Sequence, residues 1–308
     1  MKKFILLGVM QFLGWYSMYA QSVQQGEFEF KTSDSVKLYV KVAGKGPVCI
    51  FIHGGPGQGS RSFEEMKGKE LEACFTMVYL DQRGSGKSQN ATNYHLSRVI
   101  QDIEELRRYL KADKPFLLAH SFGGMLAFNY ALAHPANVRA LMLVSVTLNM
   151  LSKTALTEAL QYKKELLGED TSVSATLSRD TLWQLNVEKM TALRKRGLAY
   201  KLLSEDTATI QKQMAIDDYK RSQDFAIAVL FKQEQYPEYT KDYIPFTQQL
   251  KIPVLIIAGT ADHAVGIKGY KTFAFPKKTV SIIEGGHLLY YENNTAFKAT
   301  VCDFAQQH

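Results

Sequence analysis

The chain has 308 residues, 46% of them hydrophobic and 22% charged, a balance that fits a globular protein with a sizeable core and excludes a disordered or fibrous chain. Its formal charge of +7 comes without a dense Lys/Arg run. The nearest, Arg194-Lys195-Arg196, falls in a helically patterned stretch and reads as a solvated face, so no nucleic-acid partner is expected. No metal-ligand cluster, phosphate loop or dinucleotide fingerprint appears, so neither metal nor cofactor is expected.

Lys2 and Lys3 precede a mostly apolar run from Phe4 to Tyr16, and Ala20 stands before Gln21. This pattern reads as a signal peptide over 1–20, cleaved after Ala20, which gives a periplasmic or secreted protein. The run falls short of the roughly 20 apolar residues of a spanning helix, so no stable membrane insertion is expected after its removal. An oxidising compartment allows one disulfide among Cys49, Cys74 and Cys302, but their spacing selects no pair. Cys49 lies inside an apolar strand pattern and reads as a buried thiol.

Glu27–Phe30 and Val36–Val42 alternate as two half-exposed strands. Val48–Ile52 is wholly apolar, reads as a strand buried on both faces, and runs into His53-Gly54-Gly55-Pro56-Gly57. Phe75–Leu80 is the next strand and ends at Asp81-Gln82-Arg83-Gly84-Ser85-Gly86. Leu96, Val99, Ile100, Ile103, Leu106 and Leu110 share one helix face. Pro115–Ala119 predicts a strand, Met125–His134 a helix, and Leu141–Val144 a strand. Strands return at Val254–Ile257 and Thr279–Ile283, and the chain closes on a helix. Strands alternating with helices imply a mostly parallel sheet flanked by helices. Residues 148–246 break this rhythm and read as helical throughout. From Thr147 to Phe246 there are 14 basic and 14 acidic residues, so the stretch is balanced. It is expected as a helical cap inserted into a core of 21–147 and 247–308, roofing the crevice at the strand ends.

Ala119-His120-Ser121-Phe122-Gly123-Gly124 lies between a buried strand and a helix, the context of a nucleophile elbow. The sharp turn strains the serine, and strand and helix then pass so closely that positions two before and two after must be small. Gly123 meets that need fully, and Ala119 departs from the usual glycine by a single methyl that such turns often tolerate. A serine hydroxyl needs a base, and the base needs an orienter. Asp262 follows the strand at Val254–Ala258, and His287 follows the strand at Thr279–Ile283, so both reach the sheet edge that carries Ser121. Among the other histidines, His53 reads as shaping its loop. His120 is expected to point away from Ser121, and His263 adjoins the acid itself. The loop Ser145–Asn149 holds no carboxylate, which favours Asp262 as orienter. Oxyanion donors are expected in the N–H of Phe122, at a helix start, and the N–H of Gly55.

His53–Gly57, Asp81–Ser88 and His120–Gly124 resemble the proline iminopeptidase branch of the α/β-hydrolase superfamily. The resemblance implies an α/β-hydrolase fold and covers the core, residues 26–147 and 247–308. Members of that branch cleave an N-terminal proline from short peptides and grip the free amine with acidic cap residues in a Trp-Glu setting. Here Trp183 is followed by Gln184, and Glu165, Glu188, Glu205, Glu234 and Glu238 stand in no such setting, so each reads as a solvated helix face.

Three functions follow. The first is a serine hydrolase working through an acyl-enzyme that releases N-terminal, proline-like residues from short peptides. The second is a carboxylesterase or other acyl hydrolase of a small substrate. The third is a non-catalytic binding protein on the same fold, which an intact Ser-His-Asp set argues against. Epoxide and haloalkane hydrolysis use an aspartate nucleophile in this fold, and Ser121 counts against both. The expected partner is a small molecule or a short peptide.

Overall fold

The computed structural model describes residues 23–308, so the signal peptide read at 1–20 lies outside the described residues. Strands β1 (Gly26–Lys31), β2 (Lys37–Gly44), β3 (Val48–Ile52) and β4 (Thr76–Leu80) begin an eight-stranded sheet. It is completed by β5 (Phe116–His120), β6 (Ala140–Val144), β7 (Val254–Gly259) and β8 (Lys278–Ile283). The spatial order is β1-β2-β4-β3-β5-β6-β7-β8. β1 and β2 join antiparallel, and every pairing from β4 to β8 is parallel.

The central strands are apolar throughout because both of their faces are covered. Along β3, β4 and β5, alternate residues enter two separate cores. Ile50, Ile52, Val78, Leu80, Leu117 and Ala119 face one. Cys49, Phe51, Met77, Tyr79, Phe116 and Leu118 face the other. This is the period of two that the pleat imposes. Helices α2 (Leu96–Tyr109) and α3 (Gly123–Ala133) cover the first core; α1 (Arg61–Glu65) and the closing helix cover the second.

Between β6 and β7 the chain leaves the sheet and forms α4 (Lys153–Leu167), α5 (Arg179–Lys195), α6 (Thr207–Ile216) and α7 (Asp224–Phe231). The insertion is less continuous than its sequence pattern predicts, because α4 ends at Gly168, which takes φ 72°, and 169–178 form an irregular connection. The chain ends on α8 (Leu289–Glu292) and α9 (Asn294–Gln307). A disulfide joins Cys74 to Cys302 on α9, leaving Cys49 as a buried free thiol. Among the described residues, no helix is long and apolar enough to cross a membrane.

The strand order reverses at β3, which has β4 on one side and β5 on the other. The loops leaving β3 and β5 therefore diverge at the carboxyl edge of the sheet. Such a switch point opens the crevice in which ligands of open α/β sheets bind.

Candidate active site

Ser121 follows β5 in the turn that leads into α3 and has φ 53°, a left-handed conformation unusual for a residue with a side chain. Its backbone N–H donates to the carbonyl of Val144 on β6 at 3.0 Å, and Gly124 N–H donates to the Ser121 carbonyl at 3.0 Å. The turn works only because its neighbours are small. A Cβ on Gly123 would lie 2.3 Å from the Ile52 carbonyl oxygen, and one on Gly54 would lie 2.8 Å from the Ser121 Cβ. Both positions need glycine for close approach rather than for backbone freedom.

Asp262 and His287 leave β7 and β8 and meet. His287 Nδ1 lies 3.0 Å from each Asp262 carboxylate oxygen, and both residues are buried. Burial pushes the Asp262 carboxyl up, but the adjacent imidazole and its hydrogen bond outweigh that and hold it below its ordinary value. Ala264 N–H also donates to the same carboxylate at 3.1 Å. The ionised carboxylate accepts the Nδ1 proton, which leaves the lone pair of His287 on Nε2.

His120 does not turn away from the site as its place beside Ser121 predicts. Its ring packs 4.6 Å from the His287 ring, and its Nε2–H donates to the His287 carbonyl at 2.9 Å. Burial first, and His287 second, push His120 down to about 3, so it stays neutral. From the other side the His287 backbone N–H donates to the cap residue Leu203 at 2.7 Å. The peptide groups around His287 are thus held by the nucleophile turn and by the cap. The sequence carries a signal for His120 only in its adjacency to Ser121.

The loop after β3 is shaped by the segment after β4. His53 Nε2 accepts from Gln82 N–H at 3.1 Å, so its Nδ1–H donates to the Gly54 carbonyl at 2.8 Å. Gln82 Nε2 donates to the His53 carbonyl at 2.8 Å. Asp81 accepts from the Ser60 N–H at 2.6 Å and the Lys87 N–H at 2.8 Å. Arg83 is fully buried, bonded to Asp102 at 2.6 and 2.7 Å and to Asp34 at 2.9 and 3.0 Å. Asp81–Ser88 therefore acts on the site through the shape of the glycine loop.

A cavity of about 460 Å³ lies between this edge and the cap. Ser121, His287, Phe122 and Gly55 border it, so the sequence-derived nucleophile, base and oxyanion donors share one chamber. Asp262 stands behind His287. Trp183 and Leu156 supply apolar wall, and Lys163 and Asn186 supply polar roof. The cap acids stand elsewhere. Glu165, Glu188, Glu205 and Glu234 are exposed. Glu205 accepts from the Tyr162 hydroxyl at 2.9 Å, and Glu238 caps α2 by accepting from Leu96 N–H at 3.0 Å. Among the described residues, no aspartate or glutamate lines the chamber. Among the same residues, no group of three or more His, Cys, Asp or Glu is placed to hold a metal ion.

Sheet order, strained serine turn and roofed chamber define the class, and the chain belongs to the alpha/beta hydrolase fold family, which it matches over residues 47–294. It is 23% identical over 290 residues to a probable aminopeptidase of Bacillus subtilis (strain 168), covering 86% of this chain and 90% of that relative. It is 34% identical over 133 residues to a proline iminopeptidase of Neisseria gonorrhoeae, a match spanning 41% of either chain. The crystal structure of a proline iminopeptidase-related protein from Thermus thermophilus superimposes with a TM-score of 0.74 at 20% identity, covering 91% of this chain and 96% of that one. Fold and relatives together support a hydrolase with proline iminopeptidase-like relatives.

Proposed function

We propose that the protein is a serine hydrolase working through an acyl-enzyme, with Ser121 as nucleophile, His287 as base and then acid, and Asp262 as orienter. The observation that carries this reading is the pairing of His287 Nδ1 with both Asp262 oxygens at 3.0 Å, beside the chamber that the strained Ser121 borders. His287 Nε2 takes the Ser121 hydroxyl proton as Oγ bonds to the substrate carbonyl carbon. The N–H groups of Phe122 and Gly55 receive the oxyanion. The carbon-to-leaving-group bond then breaks, and His287 returns its proton to the departing oxygen or nitrogen. Water repeats the sequence on the acyl-enzyme and releases the acid, restoring Ser121.

For the substrate, relatives named as aminopeptidases support release of N-terminal residues from short peptides. The chamber supports a small ester or amide instead. A free ammonium taken out of water costs several kcal/mol unless a carboxylate meets it, and no carboxylate of the described residues lines this wall. Asp217 and Asp218 lie in an adjoining open groove, where Asp217 is ion-paired to Arg221 at 3.2 Å. The acyl-hydrolase reading is the one adopted. A periplasmic or secreted location belongs to the same proposal and is supported by the Cys74–Cys302 disulfide.

Replacing Ser121 by Ala tests the mechanism. Turnover of activated esters should fall by roughly 10⁴- to 10⁶-fold with unchanged thermal melting, and labelling by a fluorophosphonate should vanish. A variant that keeps near-native rates would exclude Ser121 as nucleophile.

A further inference from the structure

We infer that Lys163 and Asn186 form a carboxylate-binding subsite in the roof of the chamber, so that the substrates are acyl compounds carrying a free carboxylate away from the scissile bond. This deepens the serine-hydrolase reading and rests on it for the word substrate.

The subsite lies in the seam between α4 and α5. Leu156, Leu160 and Leu182 pack together at one end, and Leu167, Leu193 and Leu202 at the other. Between these apolar clusters the seam holds Lys163, only 7% exposed, and Asn186, only 4% exposed. A buried seam position ordinarily takes a leucine, and a lysine there gives up hydration that must be replaced.

The replacement inside the protein is incomplete. An ammonium has three protons to donate. Lys163 Nζ donates one to Asn186 Oδ1 at 2.6 Å, and among the described residues it has no carboxylate partner. Asn186 is oriented for this contact, since its Nδ2 donates to the carbonyls of Leu156 at 2.9 Å and Leu182 at 2.8 Å. The arrangement therefore presents a fixed cation with unspent donors to the chamber that Ser121 and His287 border. Burial pulls Lys163 down to about 8, and no acid acts in the opposite direction. The ammonium is thus still charged at neutral pH. An incoming carboxylate would supply the missing counter-charge and the charge-assisted bonds. A neutral group would leave the lysine as it is, and a substrate ammonium would be repelled. With no acidic side chain of the described residues on the walls, the fixed charge of the roof is positive.

The experiment compares matched pairs of esters on the purified protein. One pair is p-nitrophenyl hydrogen glutarate and its methyl-capped diester, which carry or lack the carboxylate on the acyl side. The other is butyryl glycolate and its amide, which carry or lack it on the leaving side. In at least one pair the charged member should be preferred by about tenfold or more in kcat/KM, mainly through KM, and Lys163→Met should erase that preference, the charged member losing at least about fivefold more than the neutral one. Lys163→Arg should restore part of it. Equal rates within both pairs, or equal losses on charged and neutral members in Lys163→Met, would overturn the subsite and leave Lys163 as a structural link between α4 and α5. Calorimetric binding of glutarate and glutaramide to the native protein decides the matter if the variant fails to fold: glutarate alone should bind, and equal affinities would sink the proposal. Glutarate binding that depends on Lys163, in a protein that turns over neither pair and takes no fluorophosphonate, would retain the subsite and reject the serine-hydrolase reading instead.

Discussion

His120 and His287 pack with their ring centroids 4.6 Å apart and their planes tilted by 49°, yet their surroundings separate their work. His120 is buried at the border of the chamber, spends its Nε2–H on a carbonyl and is held neutral, so it acts as a strut. His287 keeps one nitrogen on Asp262 and turns the other edge toward the chamber. The division makes Asp262 the residue whose loss should be read most cleanly. Asp262→Asn retains the size and the backbone contacts at Ala264 but offers an amide where His287 requires an acceptor. The imidazole then favours the wrong tautomer, and kcat should drop by on the order of 10⁴ without a comparable rise in KM. Pre-steady-state ester hydrolysis, run beside a melting curve, measures this. Near-native rates would move the orienting role to another group.

At the scale of elements, α2 is tied to α3 through a buried carboxylate as well as through its apolar face. Glu104 on α2 is only 1% exposed, accepts from Arg107 at 2.8 and 2.9 Å and from Arg108 at 2.7 Å, and receives the Tyr130 hydroxyl of α3 at 2.8 Å. The Arg107 guanidinium, first among these, brings its carboxyl from the ordinary 4.5 down to about 2. A carboxyl with a lower pKa folded than unfolded stabilises the protein above the unfolded value. That contribution is lost as pH falls from about 5 toward 2, because the unfolded chain takes up the proton first. Glu104→Gln should therefore cost about 2 kcal/mol at pH 7 and much less at pH 3. Urea unfolding at the two pH values checks it, and a gap that does not narrow in acid would show that the charge is not the source. The segment Asp81–Ser88 works at the same scale. Arg83 anchors it to α2 through Asp102, and Asp81 and Gln82 pass that rigidity to the loop carrying Gly55.

For the whole molecule, the Cys74–Cys302 bond ties the closing helix to the connection between β3 and β4 across 228 residues of chain. A crosslink of that span removes much freedom from the unfolded chain, although its measured worth is typically about 2–4 kcal/mol. Cys74→Ser, Cys302→Ser, or reductant on the native chain should each lower the unfolding free energy by about that amount while ester turnover at 25 °C persists. Thiol counting gives an independent check. The denatured, unreduced protein should expose one thiol, Cys49, and the native protein none, because that thiol is buried and pushed upward in pKa. Three thiols in the denatured chain would mean that the bridge does not form.

By itself the sequence determined the sheet, its flanking helices and which candidate residues gather at its carboxyl edge. Strands buried on both faces must be apolar without a break, as Val48–Ile52 and Phe116–Ala119 are. A serine turn squeezed between strand and helix must have small neighbours, as Ser121 has in Gly123. Such requirements are local, so they leave a local trace. The order β4-β3-β5 and the Cys74–Cys302 pair left none, and the adjacency of His120 to Ser121 did not give its inward turn, because each depends on which distant segments become neighbours. The roof of the chamber lies between these cases. Leu156, Leu160, Lys163 and Leu167 follow one another at spacings of four, three and four, so the lysine occupies a seam position that the pattern marks as apolar. That irregularity is visible in the sequence, but a long lysine can also bend to solvent from such a place. Only the packing of α4 against α5 decided that it stays inside, with Asn186 as its neighbour and the chamber of Ser121 below it, because burial is a property of the assembled surfaces and not of the helix alone.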